Sequence, residues 1–272
     1  MWVATMRGVA DLDDPAIVRD PLAAELLPFP YRTLVRAAER TPRATRVILR
    51  GAARVSQNVA RHLAMRTRAI DDVVSSDALS GTKQLVLLGA GLDARAFRLD
   101  ALKDSIVFEL DHPDTQALKR RAIGHRTPRA KEVRWAPIDF SRETPERVLE
   151  RAGHDRSQRT TFVWEGVTMY LASDAIDETL DAIARLAANG SSAAITYHDG
   201  TTSFEILPIA WMVRAVGEPF RTQLEPREMR ARLARRGFVV ESDEGTDDWA
   251  RRYFHEDGRA SGERLVVARR FR

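Results

Sequence analysis

The chain has 272 residues, 44% of them hydrophobic and 30% charged, a composition that suits a globular protein of one large domain with a substantial core. It contains no cysteine, which excludes disulfides, thiolate metal sites and cysteine nucleophiles together. The formal charge is only +4, basic residues are interleaved with acidic ones, and no aromatic-basic alternation of the kind that stacks bases is present, so a nucleic-acid partner is not expected.

No run approaches the roughly 18 apolar residues of a membrane span, and MWVATMRGVADLDD lacks the basic-then-apolar order of a signal peptide. A cytoplasmic location without a membrane partner is the expectation. Residues 1–80 read as a helical N-terminal cap. A short amphipathic piece at Pro21 to Leu27 is broken by Pro28 and Pro30. Arg43 to Val74 then carries Val47, Ile48, Val55, Val59, Leu63, Ile70, Val73 and Val74 at three-to-four spacing, predicting more than one amphipathic helix placed to cover one mouth of a sheet.

From residue 81 to 272 strands alternate with helical patterns, the mark of a parallel sheet covered on both faces. The strand candidates are Gln84–Leu88, Ile106–Leu110, Val133–Pro137, Thr161–Trp164, Ser192–Tyr197, Phe238–Ser242 and Arg264–Ala268, with helices over Thr115–Gly124, Pro145–Ala152, Ser173–Ala188 and Pro226–Arg236. The expectation is a single doubly wound, Rossmann-like α/β domain. A helical insertion near 201–223 interrupts the alternation after the fifth strand, over the strand ends where open parallel sheets bind ligands.

QLVLLGAGLDARAFRL at Gln84 to Leu99, followed by SIVFELDHP at Ser105 to Pro113, is the strongest local signal. Gly89, Ala90 and Gly91 form a tight turn that lets backbone approach a ligand, and Asp111 follows at the spacing that sets a carboxylate on a ribose hydroxyl. A nucleoside-containing cofactor follows from this. A dinucleotide fits the glycine pattern, so a nicotinamide oxidoreductase competes. Against it, Asp93 lies in the opening turn of the helix, where a carboxylate repels a pyrophosphate unless Arg95 or Arg98 offsets it. Asp139 and Phe140 end the third strand and Glu165 ends the fourth, which together with Asp111 suits a cationic amino-acid nucleoside, S-adenosyl-L-methionine, better than a dinucleotide.

LLGAGLDARAFRL, FELDHPDTQALKR, APIDF and WEGVTMYL, preceded by RTRAIDD at Arg66 to Asp72, resemble the leucine carboxyl methyltransferase family in its bacterial S-adenosyl-L-methionine-dependent branch, over roughly residues 20 to 270. The resemblance implies a class I methyltransferase sheet of seven strands, the last antiparallel, with extra helices as a lid. It implies Gly89 under the methionine part of the cofactor, Asp111 on the ribose with His112 beside it, Asp139 and Phe140 at the adenine, and Glu165 near the cofactor amino group. The arginine that neutralises the cofactor carboxylate is matched best by Arg68, with Arg66 as the alternative. Protein C-terminal carboxyl methylation is one activity of the family, and many bacterial members act in secondary metabolism.

A carboxylate acceptor is ionised at pH 7 and needs no base, whereas a hydroxyl gains from one. His198, at the end of the fifth strand, is the candidate base, weighed against a histidine hydrogen-bonded within its loop. Tyr31, Phe204, Trp211 and Met212 are candidate walls of an acceptor pocket. No histidine-carboxylate spacing suits zinc and no G-x-S-x-G elbow occurs, so neither a metal nor a serine hydrolase is expected. The expected function is methyl transfer to a carboxylate or hydroxyl oxygen of a small molecule, against a nicotinamide oxidoreductase and a non-catalytic cofactor-binding protein.

Overall fold

The computed structural model describes residues 17–18, 20, 22, 25–26, 43–140, 142–201, 220–257 and 261–271, with the side chains of 43–60 left aside. Tyr31, Phe204, Trp211, Met212 and most of the expected insertion lie outside the described residues.

Seven strands form one sheet: β1 (Gln84–Leu88), β2 (Ile106–Asp111), β3 (Glu132–Pro137), β4 (Thr160–Trp164), β5 (Ser192–His198), β6 (Phe238–Gly245) and β7 (Glu263–Arg270). Their spatial order is β3-β2-β1-β4-β5-β7-β6. The first five run parallel, and β7 lies antiparallel between β5 and β6. This is the class I Rossmann-like sheet with an antiparallel last strand that the sequence led us to expect. All seven strand candidates are present, each within three residues of its expected ends.

β1, β4 and β5 are buried at every position, as central parallel strands with both faces covered must be. The pleat sends alternate residues to two cores. Val86, Phe108, Phe162 and Ile195 meet the helices α4 (Pro145–Arg151), α5 (Ser173–Leu186) and α6 (Pro226–Arg235) through Leu149, Ile183 and Leu233. Leu85, Leu87, Val107 and Val163 meet the opposite layer, which includes Ile70 and Val74 of α1 (Arg43–Leu79). Two short helical elements remain on the β1–β2–β3 side, α2 (Arg95–Arg98) and α3 (Pro113–Ile123).

Two expectations change. The region from Arg43 is one helix of 37 residues, because no proline lies between Pro42 and Pro113 to break it. Its far end is pinned to the sheet by Asp77, whose carboxylate accepts from Ser192 Oγ and, at 2.8 Å, from Thr161 Oγ1. Between β6 and β7 lies an unforeseen helix, α7 (Thr246–Phe254). Its TDDWARRYF is dominated by charge, but Trp249 is fully buried and Arg251 pairs with Asp247 and Asp248 one turn earlier.

Candidate functional site

The turn after β1 folds over the end of β2: the N–H groups of Gly89 and Ala90 both donate to Leu110 O at 2.9 Å. Gly89 has φ +71°, and a Cβ there would stand 3.0 Å from Val167 Cγ2, so glycine is needed for its conformation and for the close approach. Asp111 ends β2 and accepts the N–H of Gly91 and, at 2.6 Å, that of His112. The sequence spacing of turn and acid is thus a direct contact. His112 Nδ1 accepts from Asp114 N–H at 3.3 Å and caps α3, with its side chain 56% exposed. Asp139 pairs with Arg142 at 3.3 Å just beyond β3, and Phe140 beside it is 52% exposed.

Beneath the turn lies a buried lattice of charge. Arg95 is wholly buried and reaches three carboxylates: Asp71 at 2.7 Å, Asp93 at 2.5 Å and Glu165 at 2.7 Å. Arg98 grips the other side of Asp71 at 2.6 Å. Arg66 spans Glu165 at 2.9 Å and Glu263 at 2.7 Å. Burial works against ionising Arg95, but the three carboxylates outweigh it and lift its pKa well above the ordinary value. Asp93 also accepts Arg95 N–H at 2.7 Å. The argument from Asp93 against a pyrophosphate therefore loses its force, since the charge is met by Arg95 at the start of the helix that follows.

The two arginines of RTRAIDD part company. Arg68 lies on the outer side of α1, 47% exposed, paired with Asp72 at 2.8 Å and touching Ile17 O at 3.3 Å. Nothing brings it to Glu165. Arg66 falls on the stripe of Leu63, Ile70 and Val74 and is buried against the sheet. The helical period holds this information: two residues are about 200° of rotation, so only one of the pair can face inward. Of the two, Arg66 rather than Arg68 is the arginine that the fold sets beside Glu165.

His198 closes β5, 6% exposed. Its Nδ1 accepts from Gly200 N–H at 3.1 Å. Gly262 has φ +79°, and a Cβ on it would meet His198 Cε1 at 2.4 Å. Desolvation lowers the His198 pKa, partly offset by Glu263 and Asp199. A cavity of about 690 Å³ opens next to this strand end, lined in part by Asp199, Gln223 and Glu228.

A family model described as leucine carboxyl methyltransferase matches residues 1–184. The chain belongs to this family. Similar relatives are named, provisionally, as S-adenosyl-L-methionine-dependent methyltransferases. One from Mycolicibacterium gilvum is 33% identical across 80% of this chain and 70% of its own length; one from Mycobacterium avium is 36% identical across 74% and 66%. The chain thus spans about two thirds of the length of these relatives. Among solved structures, a DUF574 family protein from Streptomyces avermitilis matches with TM-score 0.65 at 14% identity, covering 92% of this chain and 95% of that one. The mitomycin 7-O-methyltransferase MmcR matches with TM-score 0.51 at 21% identity, over 92% and 76%. At such identities the likeness concerns the fold.

Membership in the leucine carboxyl methyltransferase family makes S-adenosyl-L-methionine the cofactor and methyl transfer the reaction class. The residues present suit that cofactor. The turn carries no Cβ at Gly89, Asp111 stands beside it, and three guanidiniums (Arg66, Arg95, Arg98) face four carboxylates (Asp71, Asp93, Glu165, Glu263) within 3.0 Å. That anionic surplus complements a ligand whose sulfonium and ammonium outnumber its one carboxylate. Asp71 and Glu263 were not singled out from the sequence. Asp71 shares the inward stripe of α1 with Arg66, but nothing local marks Glu263, which lies 197 positions from the arginine it meets. Among the described residues no group of three His, Asp or Glu side chains is arranged to hold a metal ion, and no helix is long and apolar enough to cross a membrane.

Proposed function

We propose that the chain transfers a methyl group from S-adenosyl-L-methionine to an oxygen of a small-molecule acceptor, and that this oxygen belongs to a carboxylate. The observation that carries the cofactor side is the convergence on one sheet edge of the Gly89–Gly91 turn, Asp111 and the Arg66–Glu165 pair. Bound there, the cofactor supplies a methyl group on a cationic sulfur, open to in-line displacement. Asp111 is assigned to the ribose hydroxyls, Ala90 and Gly91 to the close backbone approach, and Asp139, with Phe140 beside it, to the adenine. Arg66 meets the carboxylate end of the cofactor and Glu165 the amino group. His112 acts through its cap on α3, which fixes the chain next to Asp111.

The carboxylate reading rests on His198. A general base needs an accepting nitrogen directed at the acceptor, whereas His198 is 6% exposed and its Nδ1 already accepts the Gly200 N–H, which leaves the proton of the neutral ring on Nε2. A carboxylate is already a nucleophile at neutral pH, so alignment in a closed site is the main task left to the protein. The family description names a carboxyl acceptor, which supports the same choice. The domain organisation we infer is one methyltransferase unit built on the seven-stranded sheet.

Calorimetry with S-adenosylhomocysteine and with NADPH tests the cofactor: binding of the first is expected, and binding of NADPH alone would overturn it. A panel of small carboxylic acids and phenols with labelled methyl donor tests the acceptor. Labelled methyl esters are expected, and turnover of phenols alone would sink the carboxylate reading.

A further inference from the structure

Glu263 opens β7 opposite His198, so the antiparallel strand delivers it to the same edge at which β1, β2 and β4 end. Its side chain is 9% exposed and both oxygens are engaged: Oε1 by Arg66 Nη1 at 2.7 Å, Oε2 by His62 Nε2. Desolvation pushes its pKa upward, but the Arg66 charge and the His62 contact prevail and hold it down at about 2. Arg66 uses Nε and Nη2 for Glu165, at 3.0 and 2.9 Å. Two carboxylates on two edges of one planar guanidinium fix its plane, and each terminal nitrogen still has one N–H for a further acceptor. Without Glu263 the guanidinium would be held from Glu165 alone and could pivot about it. His62 is itself placed by α7 and the chain before β7, with its ring 6.0 Å from that of Trp249 and Nδ1 3.3 Å from Thr246 Oγ1.

We propose that Glu263, backed by His62, is a positioning residue of the cofactor site, holding the Arg66 guanidinium so that its remaining N–H groups meet the carboxylate end of bound S-adenosyl-L-methionine. The inference rests on the assignment of Arg66 under the proposed function. It extends the site to the last strand of the sheet, beyond the stretch matched by the family model. It also gives Glu263 a role that depends on one end of the ligand, which separates it from a residue that merely stabilises the fold.

Two probes read that difference in the full chain. S-adenosylhomocysteine carries the amino-acid end, and 5′-methylthioadenosine has the adenosine and thioether without it. Glu263→Gln removes the charge and keeps the shape. It should weaken S-adenosylhomocysteine about tenfold in calorimetry, the size of one charge-assisted hydrogen bond, and leave 5′-methylthioadenosine within about twofold. In an Arg66→Met background the same change should cost less than about twofold for either probe, because the residue it acts through is gone. Equal losses for both probes, no loss for either, or a full tenfold loss in the Arg66→Met background would each overturn the proposal. Should Glu263→Gln melt below the assay temperature, His62→Gln is read by the same two probes, with the same pattern expected at smaller size and the same outcomes counting against it. Failure of the unaltered chain to bind S-adenosylhomocysteine would overturn the cofactor assignment itself.

Discussion

Arg95→Met is the most informative single change to the buried lattice. The arginine is wholly buried and meets Asp71, Asp93 and Glu165 at 2.5–2.7 Å. On its loss Asp71 keeps Arg98 and Glu165 keeps Arg66, while Asp93, 8% exposed, keeps the main-chain N–H of residue 95 but loses its guanidinium. The net damage is the loss of one buried guanidinium from three carboxylates at once, worth about 3–5 kcal/mol, against a total stability of about 5–15 kcal/mol for an ordinary domain. Urea unfolding of both proteins at about pH 7.5 measures the loss. The double change Arg95→Met/Asp93→Asn should recover part of the loss, since it removes the carboxylate that Arg95 meets at 2.5 Å. A single variant within about 1 kcal/mol of the parent, or a double variant no better than the single, would refute the reasoning.

Further outcomes follow from other parts of the site and core. Gly89→Ala should cost about 1–2 kcal/mol of stability and weaken S-adenosylhomocysteine in calorimetry, because φ +71° disfavours a Cβ and the new methyl would sit 3.0 Å from Val167. Asp111→Ala should cost about 1–3 kcal/mol of cofactor affinity by freeing the Gly91 N–H as well as removing the ribose partner; an unchanged Kd in a folded variant would remove that assignment. His198→Asn should leave the pH profile of turnover between about pH 6 and 9 without a lost histidine limb, since the ring is no base in this reading. His154 is buried between Phe108 and Phe162, and desolvation depresses its pKa to about 4. The unfolded chain takes up a proton first as pH falls below about 6.5, so His154 contributes stability above that pH that is lost between about 6.5 and 4. His154→Phe should flatten acid unfolding over that window, measured by circular dichroism.

The strands were legible because burial on both faces writes itself as short apolar runs: QLVLL and TTFVW admit little else. The carboxylates at the strand ends were legible for a related reason, in that a parallel strand running into an acid sets that acid at the sheet edge beside the glycine turn, as with Asp111 and Glu165. What escaped were pairings across the chain. α7 hid because only Trp249 and Ala250 in its centre are buried apolar positions, too few to produce a periodic pattern. Asp93 was legible with Arg95 as one possible offset, but that the pair actually closes is decided by the folded turn. The choice between Arg66 and Arg68 was within reach of helical periodicity, and the family motif alone did not make it. Glu263 was beyond reach, since its meaning comes from a strand that arrives from the far end of the chain.

That late arrival bears on the order of synthesis. Arg66 leaves the ribosome with α1, and Glu165 follows about a hundred residues later, whereas Glu263 follows by 197. Through most of translation one edge of the Arg66 guanidinium therefore has no carboxylate from the chain to close on. The parallel strands β1 to β5, the glycine turn and Asp111 all precede β6, α7 and β7 in the chain, and β7 lies between β5 and β6. On the roles proposed for Arg66 and Glu263, the nucleoside part of the site is therefore complete in the sequence well before the part that would hold the amino-acid end.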